Sequence, residues 1–115
     1  MFSNMDVLKI YSQMARHAAE AQTRSAANIA HADDPGYRAQ ELESFQDFLE
    51  RTASGAALET GFRTADTATP AKPNGNTVSV EHELYKSAEA MDQHQLALTV
   101  YSKSLDLLRA ALGRR

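Results

Sequence analysis

The spacing of apolar and polar residues predicts a long helix near the N-terminus of the chain. Its apolar or small residues alternate at intervals of four and three, which forms a narrow seam suited to a close partner helix. These positions are Val7, Tyr11, Met14, Ala18, Ala21 and Ser25. Ser3 and Asp6 form an S-x-x-D box at the predicted start, and Phe2 and Val7 flank it as a hydrophobic staple. We expect the helix to run toward Ala32.

A second long helix is predicted near the C-terminus. Ser79 is a favourable N-cap, and Glu81 and Glu83 in the first turn suit the helix dipole. One apolar column then repeats every seven residues, and a second column has a polar middle at Ser87 and His94. The first column is Leu84, Met91, Leu98, Leu105 and Leu112, and the second is Val80, Tyr101 and Leu108. We expect these residues both to join the two long helices and to leave unpaired faces that invite lateral stacking.

Between the long helices the sequence predicts a corner, a short helix and a linker. Proline disfavours a helical residue before it and glycine accepts positive φ, so the residues Asp34-Pro35-Gly36-Tyr37 form a turn. Helical spacing then predicts a short amphipathic helix, with extended structure as the alternative. The residues that set this spacing are Leu42, Phe45, Phe48, Leu49 and Thr52. The predicted fold is all-α, with four parts: 1–34, 35–52, 53–76 and 77–115. We interpret residues 53–76 as a flexible linker or as a loop that becomes ordered only against neighbours.

Composition favours a small core that partners complete. The chain has 115 residues, of which 43% are hydrophobic, and many of these are alanines that bury little area. The net charge is −3 and the basic residues are scattered, so no positive stripe indicates nucleic-acid binding. The absence of cysteine excludes disulfides, a thiolate nucleophile and sulfur ligands for a metal. The sequence has neither a secretory signal pattern nor a membrane-spanning run, which taken alone indicates the cytosol.

Candidate catalytic residues are few. The histidines at 17, 31, 82 and 94 lack a strong metal-binding spacing. His17 lies near Glu20, and His82 lies between two glutamates. For both groups we favour a solvated helix face over a catalytic or metal-binding site. For Asp33 and Asp34 a turn role is favoured over an acid pair. Tyr37 is equally consistent with an interface anchor and with a lid over the corner. We therefore expect no catalytic residues, no cofactor and no metal, and hence no enzyme activity.

Two segments resemble a known family. Residues 28–37, NIAHADDPGY, resemble the N-terminal signature of bacterial flagellar rod and hook proteins, and residues 73–84, PNGNTVSVEHEL, resemble the segment that opens the C-terminal helix of proximal rod proteins. The matching positions of the first segment are Asn28, Ile29, Ala30, Asp33, Pro35, Gly36 and Tyr37. Those of the second are Gly75, Asn76, Thr77, Val78 and Glu81. His31 and Asp34 depart from the family pattern, which usually has Asn and Thr there.

The resemblance implies a structural subunit of the proximal rod of the flagellar basal body, part of the drive shaft that transmits torque. Implied partners are other rod and basal-body proteins, copies of the chain itself and the flagellar type III export apparatus, without nucleic acid or membrane insertion. The implied location is the periplasmic rod, reached without a cleaved signal peptide. Independently of the resemblance, the heptad spacing predicts a packing seam that comprises Leu84, Met91, Leu98, Leu105, Leu108 and Leu112.

Two further hypotheses concern export and signalling. Phe45, Phe48 and Leu49 form an apolar cluster that could serve as an export motif, with burial against the paired helices as the alternative. The rival function from another class is a helical histidine-phosphotransfer module carrying phosphate on His17 or His94. That module needs a four-helix bundle, for which the predicted linker leaves too few helical residues.

Overall fold

The computed structural model describes residues 4–53 and 61–113. Its elements, in chain order, are α1 (Asn4–Ala30), β1 (Gln40–Leu42), α2 (Phe45–Ala53), β2 (Thr64–Asp66) and α3 (Val80–Ala111). The two long helices pack against each other, which confirms the predicted helical hairpin. The molecule measures 63 × 30 × 15 Å, so its smallest dimension is little more than the diameter of one helix.

The ends of the long helices follow the predicted signals where the structure describes them. Ser79 is the N-cap of α3, with extended backbone angles, and its hydroxyl accepts a hydrogen bond from the His82 backbone N–H at 3.3 Å. At the other end of the hairpin, α1 stops at Ala30 and the chain enters the turn that contains Gly36. The predicted box at Ser3 and staple at Phe2 lie outside the described residues.

The contact between α1 and α3 uses a different column of α3 from the predicted one. Glu83, Ala90 and Ala97 are buried there, and each directly precedes a member of the predicted leucine column. That column is largely exposed: the exposed fractions are 58% for Leu84, 55% for Met91, 48% for Leu98 and 78% for Leu112. Leu105 and Leu108 are half-buried. The prediction that this column joins the two helices is therefore wrong for the four exposed members.

Side-chain size explains the choice of column. On α1 the fully covered positions include the small residues Ala18 and Ser25. Small residues on both helices let the backbones approach closely, and alanine at 90 and 97 provides that on α3. Leucine or methionine in the same place would hold the helices apart.

The predicted linker is ordered from residue 61 onward. β2 pairs antiparallel with β1 in the register Gln40↔Asp66, and beyond the strand the Thr67 N–H donates to the Ala39 carbonyl at 3.0 Å. Within the predicted linker, residues 64–67 therefore bond to the preceding half of the chain, while residues 54–60 lie outside the described residues. The segment has few bulky side chains, and it is held by hydrogen bonds to the preceding half of the chain.

The short middle helix is confirmed as helix. In α2, Phe48 and Thr52 face inward, and the Ser44 hydroxyl accepts a hydrogen bond from the Asp47 N–H at 3.0 Å, as an N-cap residue does. Within residues 4–53 and 61–113, strands are limited to the two three-residue segments β1 and β2.

Substitution of two adjacent residues distinguishes the two columns of α3. We expect Ala97→Leu to destabilise the dilute chain by about 1–3 kcal/mol, because the larger side chain overpacks a fully buried position. Its control, Leu98→Ala, should change stability by no more than about 0.5 kcal/mol, because Leu98 is half exposed in the monomer. Thermal unfolding followed by circular dichroism measures both. A larger loss for Leu98→Ala would contradict the assigned seam.

Candidate functional site

The two segments that carry the family resemblance meet at one corner of the molecule. Gly36 has φ 75° and Gly75 has φ 87°, the left-handed region that favours glycine. The Gly36 N–H donates to the Asn74 carbonyl at 2.9 Å. A Cβ atom on Gly75 would lie only 3.3 Å from the Gly36 Cα, which is closer than most contacts of a Cβ atom. A side chain at position 75 would therefore push the two backbones apart. Both glycines are therefore needed for this contact.

Asn76 closes the C-terminal end of α1 from the far side of the corner. Its side-chain amide donates to the carbonyls of His31 at 3.0 Å and Asp34 at 2.7 Å, and its oxygen accepts from the Val78 N–H at 2.8 Å. The His31 carbonyl also accepts from the Asp34 N–H at 3.1 Å and the Asp34 carbonyl from the Tyr37 N–H at 3.3 Å, so Asn76 is the second donor to each. Asn76 itself is fully buried.

Asn28 has the matching role on the helix side. Its oxygen accepts from the Tyr37 hydroxyl at 3.0 Å, and its amide donates to the Gln40 carbonyl at 2.8 Å at the start of β1. The Tyr37 carbonyl accepts from the Thr77 N–H at 3.0 Å, and the Thr77 hydroxyl accepts from the Ala39 N–H at 2.7 Å. These bonds, together with those of Asn76, form one buried network, which we call the corner junction.

Tyr37 lies over the corner. Its ring is half-buried and stacks on the His31 ring, with centroids 4.6 Å apart and planes 4° from parallel. The hydroxyl is used by Asn28 within the chain. Of the two roles predicted for Tyr37, the structure supports the lid over the corner. Asp33 and Asp34 are exposed on the same turn, and the Asp34 carbonyl accepts from the Tyr37 N–H at 3.3 Å, as expected for a turn residue.

A second cluster surrounds His17. The ring is buried, which makes the predicted solvated position wrong, and its Nε2 lies 2.6 Å from the Glu43 carbonyl. Because a carbonyl only accepts hydrogen bonds, Nε2 carries the proton. The ring packs edge-on against Phe62 at 4.9 Å and near Phe45 at 5.7 Å between centroids. His17 thus holds the segment between β1 and α2 against α1.

The residues of the predicted export motif lie in this aromatic cluster. Phe48 is fully buried and its ring centroid is 4.7 Å from that of Phe62, while Phe45 and Leu49 are half-buried. The alternative of burial is confirmed for Phe48. In the folded chain these side chains form part of the core.

An ion pair between Glu43 and Arg51 supports the same cluster. The side-chain hydrogen bond from Arg51 lowers the pKa of Glu43 from its ordinary value, against the opposing effect of burial, and the Arg63 N–H at 2.9 Å also lowers it. A carboxyl whose pKa is depressed by folding stabilises the fold above its unfolded-state pKa, and this is lost as pH falls through the folded value. The pair therefore stabilises the contact between α2 and the segment that joins it to β1 at neutral pH.

The remaining titratable residues form no catalytic arrangement in the described part of the chain. His82 lies 3.6 Å from Glu41, which also pairs with Lys86 at 3.0 Å. His94 is half-buried on α3. A cleft of about 320 Å³ lies between α1, β1 and α3, where charged and amide side chains predominate. The described residues contain no cluster of side chains that could hold a metal ion, and no described helix is long and apolar enough to cross a membrane.

The exposed apolar residues of α3 form two ridges. The first, which we call the heptad ridge, consists of Leu84, Met91 and Leu98. The second comprises Tyr85, Leu96 and Leu107, exposed by 65%, 54% and 70%. Its members recur every eleven residues, a helical period that a search for heptads misses. Isolated exposed leucines are ordinary, whereas here three exposed apolar side chains align along each ridge.

Comparison of the chain with models of known protein families and with curated proteins gives no match.

Replacing Asn76 tests the corner junction. We expect Asn76→Ala to destabilise the chain by about 1–3 kcal/mol, because two carbonyls and the Val78 N–H lose a buried partner. Gln95→Ala on the exposed side of α3 is the control and should have little effect. Thermal unfolding of the two variants gives the comparison. Equal stability of Asn76→Ala and the control would show that the junction contributes nothing.

Proposed function

We propose that this chain is a structural subunit of the bacterial flagellar rod, a non-enzymatic helical hairpin that assembles laterally through α3. The observation that carries the proposal is the exposed apolar surface of α3, which extends along a helix of 32 residues. The described residues of the chain leave that surface uncovered. Contacts with neighbouring subunits would bury it, and folding would then be linked to assembly by mass action.

The corner junction supports the resemblance to rod proteins. The two segments that resemble the family are 36 or more residues apart along the chain, counted from Tyr37 to Pro73. Yet Asn28, Tyr37 and Thr77 belong to one hydrogen-bonded network. The motif residues thus cooperate in one structural task, which is to fix the direction in which the chain leaves α1. Within the family we favour the proximal rod protein FlgB over its neighbour FlgC, because the segment Gly75-Asn76-Thr77-Val78 resembles the former.

The surroundings of the histidines argue against the phosphotransfer alternative. A phosphate-carrying histidine must present a free ring nitrogen to its donor. The His17 ring is buried among Phe45 and Phe62, its Nε2 donates to the Glu43 carbonyl, and its Nδ1 is also buried. His94 is half-buried on the two-helix hairpin, without the four-helix bundle that such a module uses.

Export is the second part of the proposal. As a rod subunit the chain would leave the cell through the flagellar type III export apparatus, without a cleaved signal peptide, and act in the periplasmic rod. Phe48 is fully buried in the folded state, so a hydrophobic export motif of Phe45, Phe48 and Leu49 would be presented only by the unfolded chain. The same side chains would then serve recognition before folding and core packing afterwards.

An exposed leucine provides the direct test of assembly. We expect Leu98→Asp to abolish incorporation into flagellar basal bodies while leaving the monomer folded, because a carboxylate would be buried at a subunit contact. Gln46→Asp, which adds the same charge at an exposed position of α2 and away from α3, is the control and should be incorporated. Immunoblotting of purified basal bodies measures incorporation, and circular dichroism checks the fold. Normal incorporation of Leu98→Asp would refute the assembly role of this surface.

A further inference from the structure

One asparagine next to the corner junction has a reactive sequence. Asn74 is the only asparagine of the chain that precedes a glycine, and it is exposed. Glycine has no side chain to hinder the approach of its own backbone nitrogen to the preceding residue. In an unfolded chain the Gly75 nitrogen can therefore attack the side-chain amide carbon of Asn74, which is the first step of deamidation.

This reaction changes the backbone as well as the side chain. The bond between the Gly75 nitrogen and the Asn74 Cγ forms, the bond between Cγ and Nδ2 breaks, and ammonia leaves with the former Gly75 amide proton. Water then opens the resulting succinimide ring at either of its two carbonyls. One opening gives aspartate. The other gives isoaspartate, in which the main chain runs through the Cβ and Cγ atoms of residue 74.

In the folded chain the attacking nitrogen is engaged in a turn. The Gly75 N–H donates to the Lys72 carbonyl at 2.8 Å, and the Lys72 N–H donates to the Asn76 carbonyl at 2.8 Å. The first bond closes a β-turn with Pro73 and Asn74 at its centre, and the negative φ of Asn74 makes it a type I turn. The Gly75 nitrogen is therefore available for attack only after this turn opens.

The same turn holds Asn74 away from the geometry of ring closure. In a type I turn the ψ angle of Asn74 is about 0°, so its own backbone nitrogen eclipses the Gly75 nitrogen. The succinimide ring requires the Cβ atom to take that eclipsed place instead. The Asn74 carbonyl also accepts from the Gly36 N–H at 2.9 Å, and its Oδ1 accepts from the Asn76 N–H at 3.1 Å. Rotation of Asn74 into the reactive geometry therefore disrupts the corner.

We propose that Asn74 deamidates while the chain is unfolded and that folding of the corner junction suppresses the reaction. Isoaspartate at position 74 then prevents the corner from forming. Its extra main-chain atom displaces Gly75 from its close contact with Gly36, and the carbonyl that accepts from the Gly36 N–H becomes part of a free carboxylate. Chains that stay unfolded for a long time are thus chemically removed from the pool that can fold.

The rate of deamidation in the folded and denatured full-length chain tests the proposal. The protein is incubated at one mildly alkaline pH, in guanidinium chloride or in sodium chloride at the same concentration. Mass spectrometry of digests then measures deamidation and isoaspartate. We expect the reaction at Asn74 to be at least about tenfold slower in the folded chain, because the corner must open first. Asn28 and Asn76 precede branched residues, so they are internal controls that should react slowly in both states.

The variant Asn76→Ala connects the reaction to the corner junction. It keeps the pair Asn74-Gly75 but loses the amide bonds to the carbonyls of His31 and Asp34. Without denaturant we expect it to deamidate at Asn74 several-fold faster than the unsubstituted chain, whereas in denaturant the two rates should agree. Gln95→Ala is the control and should match the unsubstituted chain in both conditions. Circular dichroism measures the helix content of each variant.

The consequence for folding is measured on protein aged in denaturant and returned to buffer. Isoaspartate-containing chains, separated by ion exchange, should not regain slow hydrogen exchange at the amides of Thr77 and Val78. Asn74→Asp keeps an oxygen that can accept from the Asn76 N–H, so it should regain that protection. Equal rates at Asn74 in folded and denatured chains, or no deamidation in the denatured chain, would overturn the proposal. Full protection of the isoaspartate form would refute its effect on the corner.

Discussion

The amide group of Asn76 holds the hairpin together at the point where its two halves meet. The carbonyls of His31 and Asp34 each accept one backbone N–H of the turn, and the Asn76 amide is the second donor to both, which ties the end of α1 to the start of α3. The same residue orders the backbone toward Val78, from which α3 starts. The close approach of Gly36 and Gly75 allows this arrangement. The direction of α1 relative to α3 is thus set by hydrogen bonds, while the contact between the two helices buries mainly small apolar side chains such as Ala90 and Ala97.

The division between polar and apolar contacts explains why the leucines face outward. Ala90 and Ala97 fill the contact with α1, and larger residues there would separate the helices. Bulky apolar side chains of α3 consequently lie on its two flanks, where the described part of the chain leaves them exposed. A hairpin that directs small residues inward and large ones outward has limited stability by itself and a large apolar surface for association. Structure of this kind suits a subunit that becomes fully packed in an assembly.

The sequence predicted the elements better than their contacts. Helical spacing, the Ser79 cap and the turn at Gly36 are local signals, and each was sufficient to locate its element. Either Leu98 or its neighbour Ala97 could face the other helix, and the choice depends on the distance between the two helix backbones. The sequence pattern of one helix does not determine that distance. Residues 61–76 show no helical or strand periodicity, because they are held by hydrogen bonds to the other half of the chain, such as that between the Thr67 N–H and the Ala39 carbonyl. His17 illustrates the same limit, since its partners Phe62 and Glu43 are distant in sequence.

Hydrogen exchange of backbone amides tests most directly the claim that the corner junction is stable in the monomer whereas α3 depends on neighbours. In dilute solution we expect slow exchange at the amides of Gly36, Thr77 and Val78, and fast exchange in the second half of α3, beyond Ala97. Raising the concentration until the chain self-associates should slow exchange in that half of α3 and change the corner little. Uniformly slow exchange along all of α3 in the dilute chain would show that the hairpin is self-sufficient and would contradict this account.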